Sequence, residues 1–191
     1  EAINGINRDA GGILNLAIFD CDTPIIAAIN GAAVGIGATM TLAMDIRIAS
    51  KKSKFAFPFA RRGIVFDGAA SFFLPKLVGF SKANEWILKG NIMMAEELYD
   101  GGLIAEICEP EDVLKRSLEL ARDIAINCSP TSVSNNKKLL RESMLGKGPF
   151  DLHMMESEML SKAFASADCA EGVQSFLDKR SPQFLDRKTN K

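Results

Sequence analysis

Histidine is almost absent: His153 stands alone in a chain of 191 residues. Neither a cluster of imidazole ligands nor an ordinary Ser-His-Asp triad can be assembled from it. Its place on a predicted helix far along the chain reads as an exposed or satisfied side chain. Tryptophan and tyrosine also occur once each, as Trp86 and Tyr99, and read as structural. The four cysteines, Cys21, Cys108, Cys128 and Cys169, are widely spaced with no Cys-x-x-Cys. They read as buried reduced thiols, not as a disulfide frame or a metal site. No run of about 18 apolar residues exists, so no spanning helix is expected. Charge of one sign is lacking too: 23 Lys and Arg against 24 Asp and Glu leave a net charge of −1. No broad basic field invites nucleic acid or an anionic membrane. A Gly-Lys-Ser or Gly-Lys-Thr loop is missing, and Gly35-Ile36-Gly37 lacks the third glycine of a dinucleotide fingerprint, with Met40 at that position. Nucleotide cofactors are therefore disfavoured.

What is present suits one sizeable core: 47% hydrophobic residues and 25% charged residues are ordinary for a globular protein. The informative stretch is 24–44. Pro24 to Ile29 is a short apolar run that reads as a buried strand, closed at Asn30-Gly31. Gly35 and Gly37 flank Ile36, and a helix-compatible run follows to Met44. Glycine lets the backbone approach a ligand closely, and a helix start offers N–H groups without partners. Strand, glycine turn and helix start together suit an oxyanion hole. By itself, Gly-x-Gly after a strand is more often a tight connection.

Taken in order, residues 1–12 read as a loop or frayed end, and the apolar cluster Ile13 to Phe19 as one helix stopped by 20–24. Ile46 to Ala49 and Phe55 to Phe57 read as further strands, giving a βαβ unit with the helix 36–44. Residues 58–68, with Pro58, Gly63 and Gly68, read as loop. Helices are predicted over 69–77, with Phe72, Phe73 and Leu77 inward, and over 82–89 and 95–100. A short strand is predicted at 104–108. Beyond it the pattern is helical: 111–127 with an apolar stripe, then a helix opened by Ser129-Pro130, then 150–167 and 170–179. The division is thus 1–109, mixed α/β, and 110–191, helical. Met154, Met155 and Met159 are spaced as one helix face and suit packing or a subunit contact.

Three groups of residues then act together. They are Ile25-Ile26-Ala27-Ala28-Ile29-Asn30-Gly31 with Ala33-Val34-Gly35-Ile36-Gly37; Asp45-Ile46-Arg47-Ile48-Ala49-Ser50; and Phe59-Ala60-Arg61-Arg62-Gly63-Ile64-Val65 with Leu74-Pro75-Lys76-Leu77-Val78-Gly79. The chain resembles the enoyl-CoA hydratase/isomerase (crotonase) superfamily from about residue 10 to about residue 186. The combination is specific to the superfamily and does not choose the reaction. The resemblance implies an α/β fold, the crotonase-type ββα spiral, followed by an all-helical C-terminal subdomain. It implies that further strands, and a loop carrying a second oxyanion N–H, precede residue 1. It also implies an acyl-CoA substrate with no separate cofactor and no metal, a homotrimer or pair of trimers, and a cytoplasmic or organelle-matrix address.

Such chemistry needs a group that stabilises a thioester enolate and a group that moves a proton. The resemblance assigns the first role to the N–H of Ile36, between Gly35 and Gly37. The family's hydratases use two glutamates, which would fall at Thr39 and Phe59, so two-glutamate water addition is in doubt. Its isomerases use one carboxylate further on, and Asp67 falls there. Ile64, Val65, Phe66 and Phe59 are expected around it, an apolar setting that raises a carboxyl's pKa. Inward-turned Arg61 and Arg62 would oppose this. Gly35, Gly37, Thr39, Phe59, Ile64 and Phe66 are the expected substrate-binding set. Aspartate is a methylene shorter than glutamate, so either the loop sits closer or the reaction differs. The superfamily's dehalogenases place an aspartate here but need a histidine near Gly12. Isomerisation is favoured; a hydratase or other lyase or hydrolase, with water placed by Thr39, and a non-catalytic acyl-CoA-binding protein are the alternatives. Without the resemblance Asp67-Gly68 is only a turn. Lys179, Arg180 and Lys188 could meet coenzyme A phosphates, with a solvated face as the plainer reading.

Overall fold

The computed structural model describes residues 2–185; Lys188 lies outside the described residues. Two compact units are seen, 1–21 with 25–118 and 22–24 with 119–191.

The first unit opens with a hairpin where a loop was expected: β1 (Ala2–Ile3) pairs antiparallel with β2 (Ile6–Asn7). Helix α1 (Ala10–Asp20) then starts three residues earlier than its apolar cluster, because the Asp9 side chain caps it by accepting the Gly12 N–H. Its buried face is also not the expected one. Gly11, Asn15 and Ile18 point inward at helical spacing, while Leu14 and Leu16 are exposed.

Strand β3 (Ile26–Ile29) ends at Asn30-Gly31, and the chain immediately forms β4 (Ala32–Val34), a strand hidden in the sequence by its brevity. The two belong to different sheets. β3 pairs in parallel with β5 (Ile46–Ser50), which pairs in parallel with β8 (Glu106–Cys108). β4 pairs in parallel with β6 (Lys54–Ala56), which pairs antiparallel with β7 (Met93–Met94). The central strand β5 is buried through Arg47, Ile48, Ala49 and Ser50, as a strand covered on both faces must be. Between β4 and β5 the expected helix divides into α2 (Ile36–Thr39) and a 3₁₀ turn, Met40–Ala43.

A second 3₁₀ turn, Ala60–Arg62, interrupts the loop before α3 (Ala70–Val78) and α4 (Phe80–Lys89). In α3 the fully buried side chains are Phe73 and Leu74, whereas Phe72 and Leu77 are only half-buried. Phe19 of α1 packs edge-on against Phe72 and Phe73, with ring centroids 6.0 and 5.3 Å away. α4 closes on left-handed Gly90, whose N–H bonds the Trp86 carbonyl, and α5 (Ala95–Asp100) follows. Trp86 is fully buried, and a Cβ on Gly101 would come within 2.7 Å of its ring.

α6 (Val113–Asn127) contains the division between the units. The second unit continues with α7 (Pro130–Met144), α8 (Pro149–Phe164) and α9 (Ala167–Asp178). Ser129 caps α7, and Ser166 caps α9 through the Cys169 N–H. The thiols correct one expectation: Cys21, Cys108 and Cys169 are half-buried and Cys128 is exposed, and none forms a disulfide. None lies on the innermost face of its element, so burial does not explain them.

Beyond the end of α9, Arg180 grips Glu171 with two bonds, of 2.6 and 2.9 Å, and the Gln183 N–H adds a third. These hold the Glu171 carboxyl down to about 2 from an ordinary 4.5. A depressed carboxylate stabilises the fold fully above the ordinary value and loses that contribution as pH falls toward the folded one. Glu171→Gln should therefore weaken the helical unit at neutral pH and flatten its acid dependence between pH 4.5 and about 2. Acid unfolding followed by amide exchange in 171–183 reads this directly.

Candidate active site

Three segments distant in sequence meet around Asp67. The first is the turn into α2. Gly35 adopts φ 58° and ψ −124°, a backbone that a side chain would strain, and its N–H bonds the Ala56 carbonyl. Its carbonyl accepts the N–H groups of Ala38 and Thr39, at 2.9 and 3.0 Å. The N–H groups of Ile36 and Gly37 thus open the helix, where no carbonyl four residues back inside it can reach them. The Ile36 side chain is 44% exposed.

The second segment is the loop before α3. Asp67 is half-buried, and its Oδ1 accepts a 2.7 Å hydrogen bond from the Thr39 hydroxyl. Thr39 itself is fully buried. Gly68 and Ala69 both take positive φ, 67° and 53°. The second is a non-glycine residue in a left-handed conformation, a local cost of the kind that gathers at functional sites.

The third segment is the start of α1. A Cβ on buried Gly11 would strike Ile36 Cδ1 and lie 3.3 Å from Asp67 Oδ2 and 3.2 Å from Asp9 Oδ1. The bare glycine therefore lets Ile36, Asp67 and Asp9 pack closely against the start of α1. Asp9 Oδ1 accepts the Gly12 N–H and, at 3.3 Å, that of Gly68. Asn15 donates to the carbonyls of Thr39 and Gly68, at 2.9 and 2.5 Å.

Of the residues singled out from sequence, Gly35, Ile36, Gly37, Thr39 and Asp67 come together. Four others do not surround the carboxylate as expected. Ile64 is 59% exposed and Val65 87%, because the left-handed turn at Gly63 carries them outward. Phe59 is buried in the core beneath the 3₁₀ turn. Phe66 lines an apolar cleft of about 160 Å³ between α3 and α4, with Leu74, Phe80 and Ile87. The expected apolar wall is thus replaced by a hydroxyl on one side and Asp9 nearby. Arg61 and Arg62 are exposed, and the Arg61 Nε bonds the Lys89 carbonyl at 2.6 Å. At Gly12, where a dehalogenase histidine would stand, a Cβ would lie 2.7 Å from Asp9 Oδ2. His153 is exposed on α8, and Arg180 is engaged with Glu171 and Asp178. Asp9 and Asn15 went unnoticed in the sequence; a polar residue on the inward stripe of α1 was the available signal.

A larger open cavity, of about 780 Å³, lies in the second unit among α7, α8 and α9. Its charged lining is largely self-paired, Lys162 with Glu158 and Ser129 with Asp168. It contains none of the residues around Asp67.

A family profile described as enoyl-CoA hydratase/isomerase matches residues 5–187. The chain belongs to that family. It is 48% identical over 181 residues to an enoyl-CoA hydratase of Alternaria alternata, covering 94% of this chain and 60% of that protein. It is 34% identical to a 1,2-epoxyphenylacetyl-CoA isomerase of Escherichia coli K12, covering 84% and 61%. Among solved structures, a probable enoyl-CoA hydratase/isomerase from Mycobacterium abscessus superposes with a TM-score of 0.86 at 36% identity, covering 87% of this chain and 65% of that one. The fold is accordingly the crotonase fold, mixed α/β with a helical C-terminal region. The chain spans about 60% of the length of the Alternaria relative. No helix among the described residues is long and apolar enough to cross a membrane.

The geometry at Gly68 generates a test independent of turnover. A Cβ there would lie 2.8 Å from Asn15 Nδ2 and 3.0 Å from the Thr39 hydroxyl, at a positive φ. Gly68→Ala should lower unfolding free energy by at least about 1–2 kcal/mol, measured by denaturant titration. Gly5→Ala, at a positive φ with open space around it, is the control for the φ cost alone.

Proposed function

We propose that the protein acts on an acyl-CoA thioester through an enolate, with enoyl-CoA double-bond isomerisation as the reaction. The observation that carries the reading is the close packing at Gly11, which sets the Asp67 carboxylate beside Ile36, the residue whose N–H opens α2. The thioester carbonyl lies against the Ile36 N–H, which stabilises the oxyanion as it develops; one such donor is typically worth roughly 2.7–4 kcal/mol. Asp67 takes a proton from one carbon of the acyl chain, and the electron pair moves into the thioester as enolate. The same carboxyl returns the proton two carbons away as the double bond shifts. Thr39, donating to Oδ1, fixes the carboxylate and leaves Oδ2 to carry the proton. No metal, flavin or nicotinamide enters this scheme, and coenzyme A arrives with the substrate.

Hydration is the second reading. Asp9 supplies another carboxylate beside Gly11, and the Alternaria relative is named a hydratase. Against it stand the absence of a carboxylate at Thr39 and Phe59 and the two N–H groups already bound to Asp9 Oδ1. Assembly as a trimer belongs to the same proposal. The exposed Phe164, Phe176 and Leu177 of the helical unit support contact with further copies.

The deciding experiment gives the full-length protein a 3-enoyl-CoA and a 2-enoyl-CoA separately and follows products by mass. A 2-enoyl product of unchanged mass is expected; a gain of one water from the 2-enoyl substrate would establish hydration instead. Asp67→Asn should reduce turnover by about 10²-fold or more while substrate still binds. A protein that only binds acyl-CoA would show no turnover to lose.

A further inference from the structure

Asn15 is a polar side chain on the buried face of α1 with 0% exposure. Both of its N–H donors are used, one on the Thr39 carbonyl and one on the Gly68 carbonyl. Its Oδ1 has no partner in the protein. The orientation of the amide follows from chemistry: two carbonyl acceptors require the NH₂ group on their side. A buried acceptor left without a bond is costly. A side chain selected for packing alone would not carry that cost, since an apolar residue of similar shape avoids it.

What the amide accomplishes is a connection. Thr39 is the residue whose hydroxyl holds Asp67, and Gly68 is the residue that follows Asp67. One planar group therefore fixes the spacing between the helix opened by Ile36 and the loop that carries the carboxylate. Asp9 completes the hold on Gly68 by accepting its N–H, so both backbone polar groups of that residue are bound by side chains at or within α1. The loop needs such a hold, because Gly68 and Ala69 are both left-handed and Ala69 does not favour that state. Without it, relaxation of Ala69 would swing Asp67 away from Thr39.

We infer that Asn15 is a positioning residue for the reaction, holding Asp67 against the Thr39 hydroxyl by bridging the backbone of Thr39 and Gly68. This deepens the proposed function and rests on Asp67 acting as the base. Misplacement of a reacting group by about 1 Å can cost on the order of 10²-fold in rate. The loss should fall on kcat, because Asn15 is enclosed and does not touch substrate.

The test compares Asn15→Leu, Asn15→Asp and Asp67→Asn in the full-length protein, by kinetics and by crystal structure. In Asn15→Leu, kcat should fall on the order of 10²-fold with KM nearly unchanged, and Asp67 should leave the Thr39 hydroxyl. Asn15→Asp preserves size, so it covers the case in which the leucine variant fails to fold. Its new carboxyl faces two carbonyls and can bridge neither while ionised. Its kcat should therefore recover in part as pH falls and the new carboxyl gains its one proton, enough to bind one of the two carbonyls, a limb absent from the natural protein. Retention of the Thr39–Asp67 bond in the variants, with kcat and its pH profile unchanged, overturns the inference. Full turnover by Asp67→Asn would overturn the base assignment instead. The positioning claim is then judged on the crystallographic Thr39–Asp67 distance alone: an unchanged distance overturns it and a displaced carboxylate upholds it.

Discussion

Two turns of helix cannot satisfy their own backbone. The segment from Ile36 to Ala43 is so short that most of its N–H and C=O groups lack partners within it. The surroundings supply them. Asn15 takes the Thr39 carbonyl. Arg47 takes those of Thr41 and Met44, at 2.9 and 2.7 Å, and its Nε takes that of Leu103. The Arg47 side chain comes from the central strand β5 and is 6% exposed, and burial pushes its pKa down while Asp45 opposes the shift. A charge removed from water persists only with such a set of partners. The outcome is a helix end fixed to the sheet and a helix start left with open N–H groups.

That asymmetry connects fold to chemistry. A backbone donor is useful for a developing oxyanion only if it is held still before the reaction. The parallel pair β3 and β5 and the second pair β4 and β6 enclose the segment from Ile29 to Ser53, and the Ser53 hydroxyl bonds the Ile29 carbonyl at 2.8 Å across its base. The donor therefore rests on two sheets. The carboxylate, by contrast, rests on a loop with two left-handed residues and needs α1 to hold it. In the proposed reaction, a rigid donor and a braced base are different solutions to the same requirement for geometry.

Local signals located most elements. Gly90 stops α4, Glu96 and Glu97 lie in the first turn of α5, and Ser129-Pro130 opens α7. These features act over three or four residues, which is why they are visible in one dimension. Strand β4 carried no such signal, because three residues cannot show a period. The reading of α1 failed in an instructive way. Its apolar residues surround the helix, so hydrophobicity could not select the buried side; Gly11 and Asn15 did, through close approach and hydrogen bonding.

The sequence by itself determined the family, through motifs spread over β3 to α3, and its resemblance to that family pointed to Ile36 and Asp67 as the expected oxyanion donor and carboxylate. The motifs depend on residue type and spacing along the chain, which folding does not alter. Only the tertiary structure decided what stands beside the carboxylate. It put Ile64 and Val65 outside, Phe59 in the core, and Thr39, Asp9 and Asn15 around Asp67 and Gly68. Partners separated by 28 and 53 residues meet because α1, α2 and the loop before α3 converge. That convergence is set by packing among elements, and no local pattern carries it.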